Sequence, residues 1–531
     1  MKRRTCVLVL LAVMGALTAS AAPPESEAEP ADAVRLSLSE SLVKALENNL
    51  DLAVAKKNPD VAWNDVLFQK AAFDPFFSAG ISHGENKSEL QPAFVGGSVL
   101  YVSPKTKTDE VFASIAEHFN FGATLDATLS SNRSNSTPSF LNAYNPQYGS
   151  SLSLRFVLPL LKGFGREVNE FQLLVAKKNL EISHEELRRN ATDTLRSVED
   201  AYWDLLAARA AQKVAEQALS LSQDLYDLNK KKVEVGTLAP IEITQAEANV
   251  ASNVEGVITT RTLVKNAEDN LRHLLAIPEA DPMWGKVIVP TEEPIADQRT
   301  TDLDAAIAKA LEARPEVIQA RMQRENAELG ERVAKKNTRH GLDFTALVVP
   351  SGNNLVRTSV PGPDGIPFTP DDYITGGVGE GLSEIPKFNN YNWSVGLTYS
   401  VPIGNRAAEA TYANARIAMD QSVLSEKNTQ DLIRVDVRRT VRAVESGYER
   451  VVAARKNVEL QTKKLDAERK KFDNGMSTSF EVFTFQNDLT SAQLSLIRAM
   501  LDYNKALADL ERAKGTLLES KGLTIAADAG R

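Results

Sequence analysis

Cysteine is almost missing from the 531 residues; the single one, Cys6, stands in an apolar run near the N-terminus. A chain so poor in thiols builds no disulfide framework, no thiolate metal site and no cysteine nucleophile. Long apolar runs are scarce as well. After the first 22 residues no stretch approaches the ~18 consecutive apolar residues of a transmembrane helix, which leaves a barrel as the only route into a bilayer. The five histidines are scattered, with no H-E-x-x-H pattern and no carboxylate cluster at metal spacing. Gly163-Phe164-Gly165 precedes a helical stretch but lacks the G-x-x-x-x-G-K-[ST] pattern that cradles phosphate, and nothing arranges Ser, His and Asp as a triad. The turn-rich segment holding Asp364, Asp371 and Asp372 lacks the Asp spacing and bidentate Glu of a calcium loop and reads as an outer loop. These absences predict no catalytic residue, no cofactor and no metal.

Lys2-Arg3-Arg4, the apolar run Cys6 to Leu17 and the small residues Ala19-Ser20-Ala21-Ala22 follow the order of a secretory leader, here expected over 1–22. Arg3-Arg4 in poor surroundings makes a weak twin-arginine signal. Without the leader, 58 basic side chains face 70 acidic ones, a balance that argues against nucleic acid as a partner.

The chain is duplicated. LSESLVKALE (Leu38 to Glu47) returns as LDAAIAKALE (Leu303 to Glu312), 265 residues on, and Lys231 to Thr237 faces Lys470 to Met476 at an offset of 239. Each half reads as a short helix, a β segment, a very long helix, a Gly turn and a second long helix. The expected layout is a first repeat over 34–277, a Pro-rich linker over 278–301, a second repeat over 302–520 and a tail over 521–531.

Arg166 to Lys232 runs 67 residues without Gly or Pro, where average usage would place about six, so it predicts one unbroken helix opening a hairpin over 166–276. Its counterpart, Asn405 to Asn474, is interrupted only by Gly447 and opens a hairpin over 405–518. Val437, Val444, Val451, Val458, Leu465 and Phe472 recur every seven residues, and 239 residues earlier stand Val198, Leu205, Gln212, Leu219, Tyr226 and Val233. Such heptads predict a supercoiled, packed seam. On helices alone, a rod-like coiled coil fits equally well.

The β segments separate the two readings. Tyr391, Trp393, Val395, Leu397, Tyr399 and Val401 alternate with polar or small residues, as do Leu152, Leu154, Phe156 and Leu158. Phe77-Ala79-Ile81 and Leu342-Phe344-Ala346-Val348 precede the outer loops, bounding strand regions over about 76–158 and 342–401. Strands with one apolar and one polar face suit a water-filled barrel, and so few in one chain need neighbours to close it. Trp393 and Tyr391 suit an interfacial aromatic girdle, whereas Trp63, Trp203 and Trp284 read as packing residues.

These residues resemble the TolC outer-membrane efflux family from about Leu36 to Leu518. The resemblance is carried by the ALEN start at Ala45 to Asn48 and its repeat at Ala310, followed by Arg314-Pro315. Ala71-Ala72-Phe73-Asp74-Pro75 and the strand exits at Pro159 and Pro402 add to it. The Gly turns followed by EITQAEANVASN (Glu242 to Asn253) and EVFTFQNDLTSAQ (Glu481 to Gln493) are its most specific part. The resemblance implies an α-plus-membrane-β-barrel fold: a homotrimer in the outer membrane whose strands share one barrel and whose helices form a hollow periplasmic tunnel. It implies a passive exit channel of a tripartite efflux pump or type I secretion system, carrying small molecules or polypeptides. The partners implied are a periplasmic adaptor (membrane fusion protein) and an inner-membrane pump of RND, ABC or MFS type.

The adaptor-docking tips are then expected at Val235, Gly236, Thr237 and Leu238 and at Asn474, Gly475, Met476 and Ser477, with Glu242 and Glu481 at a periplasmic constriction. Two features depart from the family pattern. A further alternating pair, Val111-Ala113-Ile115 and Phe121 to Leu129, adds a hairpin to the first β excursion and is expected to raise the strands from four to six per chain. At the gate, Ser477 stands at the position of a latching Arg, and Thr484 at that of a second acidic ring. A coiled-coil adaptor and a stalked hydrolase are the competing classes; the first needs one hairpin where two occur, the second a site that is absent.

Overall fold

The computed structural model describes residues 33–95, 97–138, 146–353, 356–357, 373–374 and 377–524. The expected leader, the residues Asp364, Asp371 and Asp372, and residues 525–531 of the tail lie outside that set.

Strand β1 (Ala33–Leu36) leads into helices α1 (Leu38–Asn48), α2 (Leu50–Ala55) and α3 (Asn58–Lys70). Strands β2 (Phe76–Lys87), β3 (Gln91–Val95), β4 (Ser98–Val102), β5 (Lys105–His118), β6 (Thr124–Thr137) and β7 (Gln147–Pro159) follow. Then come α4 (Arg166–Asn169), α5 (Phe171–Glu234) and α6 (Ile241–Leu275). After β8 (Val287–Pro290) the order returns: α7 (Leu303–Ala313), α8 (Pro315–Asn337), β9 (Gly341–Asn353), β10 (Val356–Arg357), β11 (Tyr373–Ile374), α9 (Val378–Glu384), β12 (Asn390–Ser400), α10 (Arg406–Asp473), α11 (Ser479–Lys514) and α12 (Leu517–Ser520).

Local chemistry repeats with the elements. Ser37 caps α1 in a capping box, accepting from the Glu40 amide at 3.1 Å while the Glu40 carboxylate accepts from the Ser37 amide at 3.0 Å. At the equivalent place Asp302 caps α7 through the Asp304 amide, so each half opens with orphan donors satisfied. Arg314, ahead of the helix-starting Pro315, is buried and ties α7 to α10 through Asp436 at 2.9 Å while holding Glu316 at 2.9 Å.

The two great helices are 64 and 68 residues long, about 96 and 102 Å at ~1.5 Å per residue. The expected single helix from Arg166 is broken once. Asn169 turns its amide back onto the carbonyls of Gly163 and Gly165, at 2.8 and 2.9 Å, and Glu170 leaves helical geometry before α5 begins.

On α10 the heptad seam holds: Val437, Val444, Val451, Leu465 and Phe472 are buried and Val458 is half-buried. On α5 Val198 and Leu205 are buried and Gln212, Leu219, Tyr226 and Val233 half-buried; lower down the fully buried positions are Val214, Ser222, Leu225 and Asn229. The lone interruption, Gly447, has a packing cause: an added Cβ would stand 3.3 Å from the Tyr503 ring. Its absence lets α10 and α11 approach and leaves the Tyr503 hydroxyl free to donate to the Asp297 carbonyl at 2.7 Å.

Midway along the helices, β1 and β8 pair in parallel over a core of Leu36, Leu195, Val198, Leu205, Leu271, Leu275 and Ile288. Fully buried Tyr202 reaches the Leu36 carbonyl and the Glu292 carboxylate and accepts from the Thr291 amide. Burial, then the bond to Glu292, raises its pKa from 10.0 to about 12. Asn504 holds both backbone groups of Ile295, so the linker is pinned against the bundle. Trp203 is buried here, whereas Trp63 and Trp284 are more than 40% exposed and do not have the packed setting expected of them.

At the far end, six antiparallel strands form one sheet in the order β12-β9-β7-β6-β5-β2. The extra hairpin is part of this ladder. One cross-strand row reads Phe77, Ile115, Ala127, Leu154, Val348, Trp393. The adjacent row on the other face reads Ser78, Ser114, Thr128, Ser153, with Ser78 and Ser114 hydroxyls 2.7 Å apart. Much of the apolar face is bare, with Ile81, Trp393 and Leu397 each more than 60% exposed, while α9 packs over its outer end beside Gly352.

Val444→Asp should place an unpaired carboxylate in the buried seam and lower the melting temperature by on the order of 10 °C. Ala453→Asp, on the exposed face of the same helix, should change it by no more than a degree or two. Equal effects in a thermal melt would show that the seam is misassigned.

Candidate functional site at the helical tips

Each long helix ends in the same backbone device. Gly236 and Gly475 have φ of 77° and 73°. The Gly236 amide donates to the Val233 carbonyl and the Thr237 amide to that of Lys232; Gly475 and Met476 donate likewise to Phe472 and Lys471. These are paired Schellman turns, which satisfy terminal carbonyls and need the left-handed conformation that glycine adopts at no steric cost. A Cβ at either glycine would meet nothing within 4 Å, so the requirement is one of conformation. The turns bring Val235 and Met476 to the surface, 73% and 71% exposed, with Ile241 and Phe480 beside them. Leu238 instead packs inward on the tip cluster.

Behind the turns one apolar cluster joins both hairpins: Leu225 and Ala246 from the first, Leu465, Phe472, Val482 and Phe483 from the second. Lys232 caps it, its ammonium 3.9 Å from the Phe472 ring centroid and donating to the Phe472 carbonyl.

Two hydroxyls organise the acidic residues. Ser479, fully buried in the first turn of α11, donates to Glu242 in the first turn of α6, a bond that spans the two hairpins. The Ser477 hydroxyl stands 2.5 Å from Glu468 and 2.8 Å from Glu481, and with one hydrogen it donates to one at a time. Glu468 also takes Lys471 at 3.0 Å. The Ser477 hydroxyl, then the Lys471 ammonium, hold the Glu468 carboxyl below its ordinary 4.5. Glu242 and Glu481, expected from sequence as constriction charges, are thus both engaged within the tip, Glu242 across the hairpins and Glu481 with Ser477. Ser477 works as a clasp where a latching Arg was the family expectation, and Thr484 bonds only back to the Phe480 carbonyl. Glu468 and Ser479 were not singled out in the sequence; Glu468 stands nine residues before Ser477 and Ser479 lies 237 residues from Glu242, so neither pair leaves a local pattern to read.

The joint has a weak layer. Asn229 is fully buried with neither side-chain amide atom partnered, and Gln486 is buried with its amide nitrogen unpartnered. Buried polar groups left so cost about 1–3 kcal/mol each.

Elsewhere, a cavity of about 560 Å³ beside the linker is lined in part by Glu199, Trp203, Glu292, Asn504 and Lys521. Its Glu199 and Lys521 are paired at 2.8 Å, and its Asn504 pins the linker. Among the described residues no three His, Cys, Asp or Glu side chains gather as a metal site, and no helix is long and apolar enough to cross a membrane.

Because its folded pKa is depressed, Glu468 contributes stability that is full above its ordinary 4.5 and is lost as pH falls through the folded value. Hydrogen exchange at 470–484, corrected for its intrinsic pH dependence, should show protection steady from pH 7 to about 5 and declining below it. Glu468→Gln should flatten that decline; an identical profile in the variant would remove Glu468 from the clasp.

The architecture is shared with solved proteins. The chain is similar to the CmeC outer membrane channel of Campylobacter jejuni, at 14% identity over 90% of this chain and 86% of that one, TM-score 0.61. It is similar to the outer membrane protein VceC of Vibrio cholerae, at 15% identity, 90% and 96% coverage, TM-score 0.60. The open state of the MtrE outer membrane channel of Neisseria gonorrhoeae matches at 16% identity, 90% and 89% coverage, TM-score 0.59. No curated protein sequence matches the chain. The family model described as outer membrane efflux protein matches residues 120–276 and 374–516, one block in each half and together more than half of the chain. The chain belongs to the outer membrane efflux protein family: it is an outer-membrane efflux channel with a periplasmic helical extension, and not an enzyme.

Proposed function

We propose that three copies of this chain form a passive exit duct, with their sheets closed into one barrel and their helical hairpins into one tunnel. The duct receives cargo from an inner-membrane pump through a periplasmic adaptor, as part of a tripartite efflux pump or a type I secretion system. The observation that carries this reading is the combination, in one chain, of a sheet with a largely bare apolar face and two unpaired edges and two hairpins of about 100 Å. A second apolar stripe stays exposed on the helices, with Val254, Ile258 and Leu263 on α6 and Ile417, Leu424, Val435 and Val452 on α10. Apolar surface on this scale marks a face awaiting a partner, and a neighbouring copy's helices supply one.

The adaptor docks on the two Schellman turns. They present exposed Val235 and Met476 among small polar residues, which suits a shallow contact with another helical hairpin. The mouth opens by parting the hairpins there. The Ser479–Glu242 bond and the Phe472 cluster hold it shut, and the unpartnered Asn229 and Gln486 reduce the cost of parting. The repeats over 34–277 and 302–520 act as two staves of one protomer, and the linker over 278–301 belts them.

Val235→Arg with Met476→Arg changes the docking surface while sparing both glycines and the Ser477 clasp. Such a variant should reach the outer membrane as an intact oligomer yet lose adaptor cross-linking and export. Export at the wild-type rate would place docking elsewhere.

A further inference from the structure

We infer that the outer-membrane barrel of this protein is an 18-stranded ring in which β2 of one copy pairs with β12 of the next. The inference rests on the trimer proposed above and goes beyond it by fixing the seam and the width of the pore.

The two ends of the sheet are built to meet. β2 and β12 are each paired on one side only, and they have nearly equal lengths, 12 and 11 residues. β2 leaves the helical side, since it follows α3, and β12 returns to it, since α10 follows. Placed side by side from different copies, they run antiparallel and continue the alternation of the whole sheet. Their apolar residues lie on one common face, Phe77 of β2 being joined to Trp393 of β12 by a single row of pairs across the four intervening strands. An open edge in hydrocarbon leaves a row of backbone groups unpaired at several kcal/mol each, so the edge has to find a strand. A second copy offers one of the right length, direction and facing.

The alternative is a narrower ring in which β2 and β5 hang outside and β12 pairs with β6, leaving four strands per copy. The ladder opposes this. β5 and β6 pair without a break through fourteen residues, Lys105–His118 against Thr124–Thr137, and β2 and β5 through twelve. The polar face is fitted as closely, with the Phe112 ring lying over Gly80, where a Cβ would come within 2.6 Å of it. Ser78 and Ser114 bond across that face. Exposing the β6 edge would forfeit all the β5–β6 pairs. The family match begins at residue 120, so β2 and β5 lie ahead of the matched region, an addition to the strands that it covers.

Three six-stranded sheets at a spacing of ~4.8 Å and a tilt of ~40° close at a backbone diameter of about 36 Å, against about 24 Å for twelve strands. At that width, lined mostly by Ser, Thr and Asn with Phe112, Glu110, Asp126 and Arg155 among them, the barrel is no bottleneck, and selection by size falls to the periplasmic tips.

Cysteine cross-linking reads the seam cleanly, because Cys6 is the only native cysteine. Ser78→Cys on β2 is combined in turn with Asn392→Cys, Ser394→Cys or Thr398→Cys on β12. Thr128→Cys on β6 is combined with the same three as the competing set. The oligomer is oxidised in native membranes, then extracted for denaturing gels and for imaging in lipid discs. Covalent trimers from a β2–β12 pair with a ring near 36 Å are expected. Covalent trimers from a β6–β12 pair with a ring near 24 Å would overturn the inference and leave the trimeric channel standing. If no pair falls in disulfide register, the imaged diameter decides between the two. A particle that is not three-fold would overturn both the seam and the proposed function.

Discussion

A sheet in hydrocarbon cannot keep an open edge. Water that would satisfy free N–H and C=O groups is absent from the bilayer core, so a membrane sheet must close on itself or on copies of itself. The largest sheet of this chain has six strands, too few to enclose a water-filled lumen, and its apolar row exposes Phe77 and Trp393 at the two edges. Much else in the structure answers to that one constraint. A ring of copies brings the helices, which leave the sheet at Gly163 and Gly404 with positive φ, into a second ring beneath the first. Helices about 100 Å long then have neighbours on both sides for their two apolar stripes.

The constraint also explains how the load is divided along the molecule. Near the middle, Tyr202, Tyr503 and Asn504 pin an irregular linker by satisfying its backbone, so the belt is fixed at the point where irregular chain would otherwise be a liability. At the tip the contacts between hairpins are one apolar cluster, one serine–glutamate bond and the Lys232 ammonium on the Phe472 carbonyl and ring. Buried polar atoms without partners occur at both levels, Asn229 and Gln486 toward the tip and Glu199, Trp203 and Arg272 near the waist.

Much of this was legible in the residues. Duplication, over-long helices and strands with unlike faces each follow from a periodicity, and periodicity survives without knowledge of tertiary contacts. The tip glycines were legible for the same reason, since Gly236 and Gly475 punctuate otherwise helical runs at matching places. The extra hairpin was visible in Val111-Ala113-Ile115 and Phe121 to Leu129. What escaped depends on pairs far apart in sequence. Ser479 meets Glu242 across 237 residues, and Gly447 makes room for Tyr503 on another helix. Along lower α5 the fully buried positions leave the strict heptad for Val214, Ser222, Leu225 and Asn229. No property of Val214 or Asn229 taken alone announces that the packed face has moved to them.

Native mass spectrometry of the protein released from outer membranes in mild detergent tests the central claim most directly. Closure by neighbouring copies predicts a single species of three protomers that unfolds as it dissociates. A stable, folded single chain extracted from the bilayer would contradict it, since that chain would have kept both edges of its sheet open in hydrocarbon.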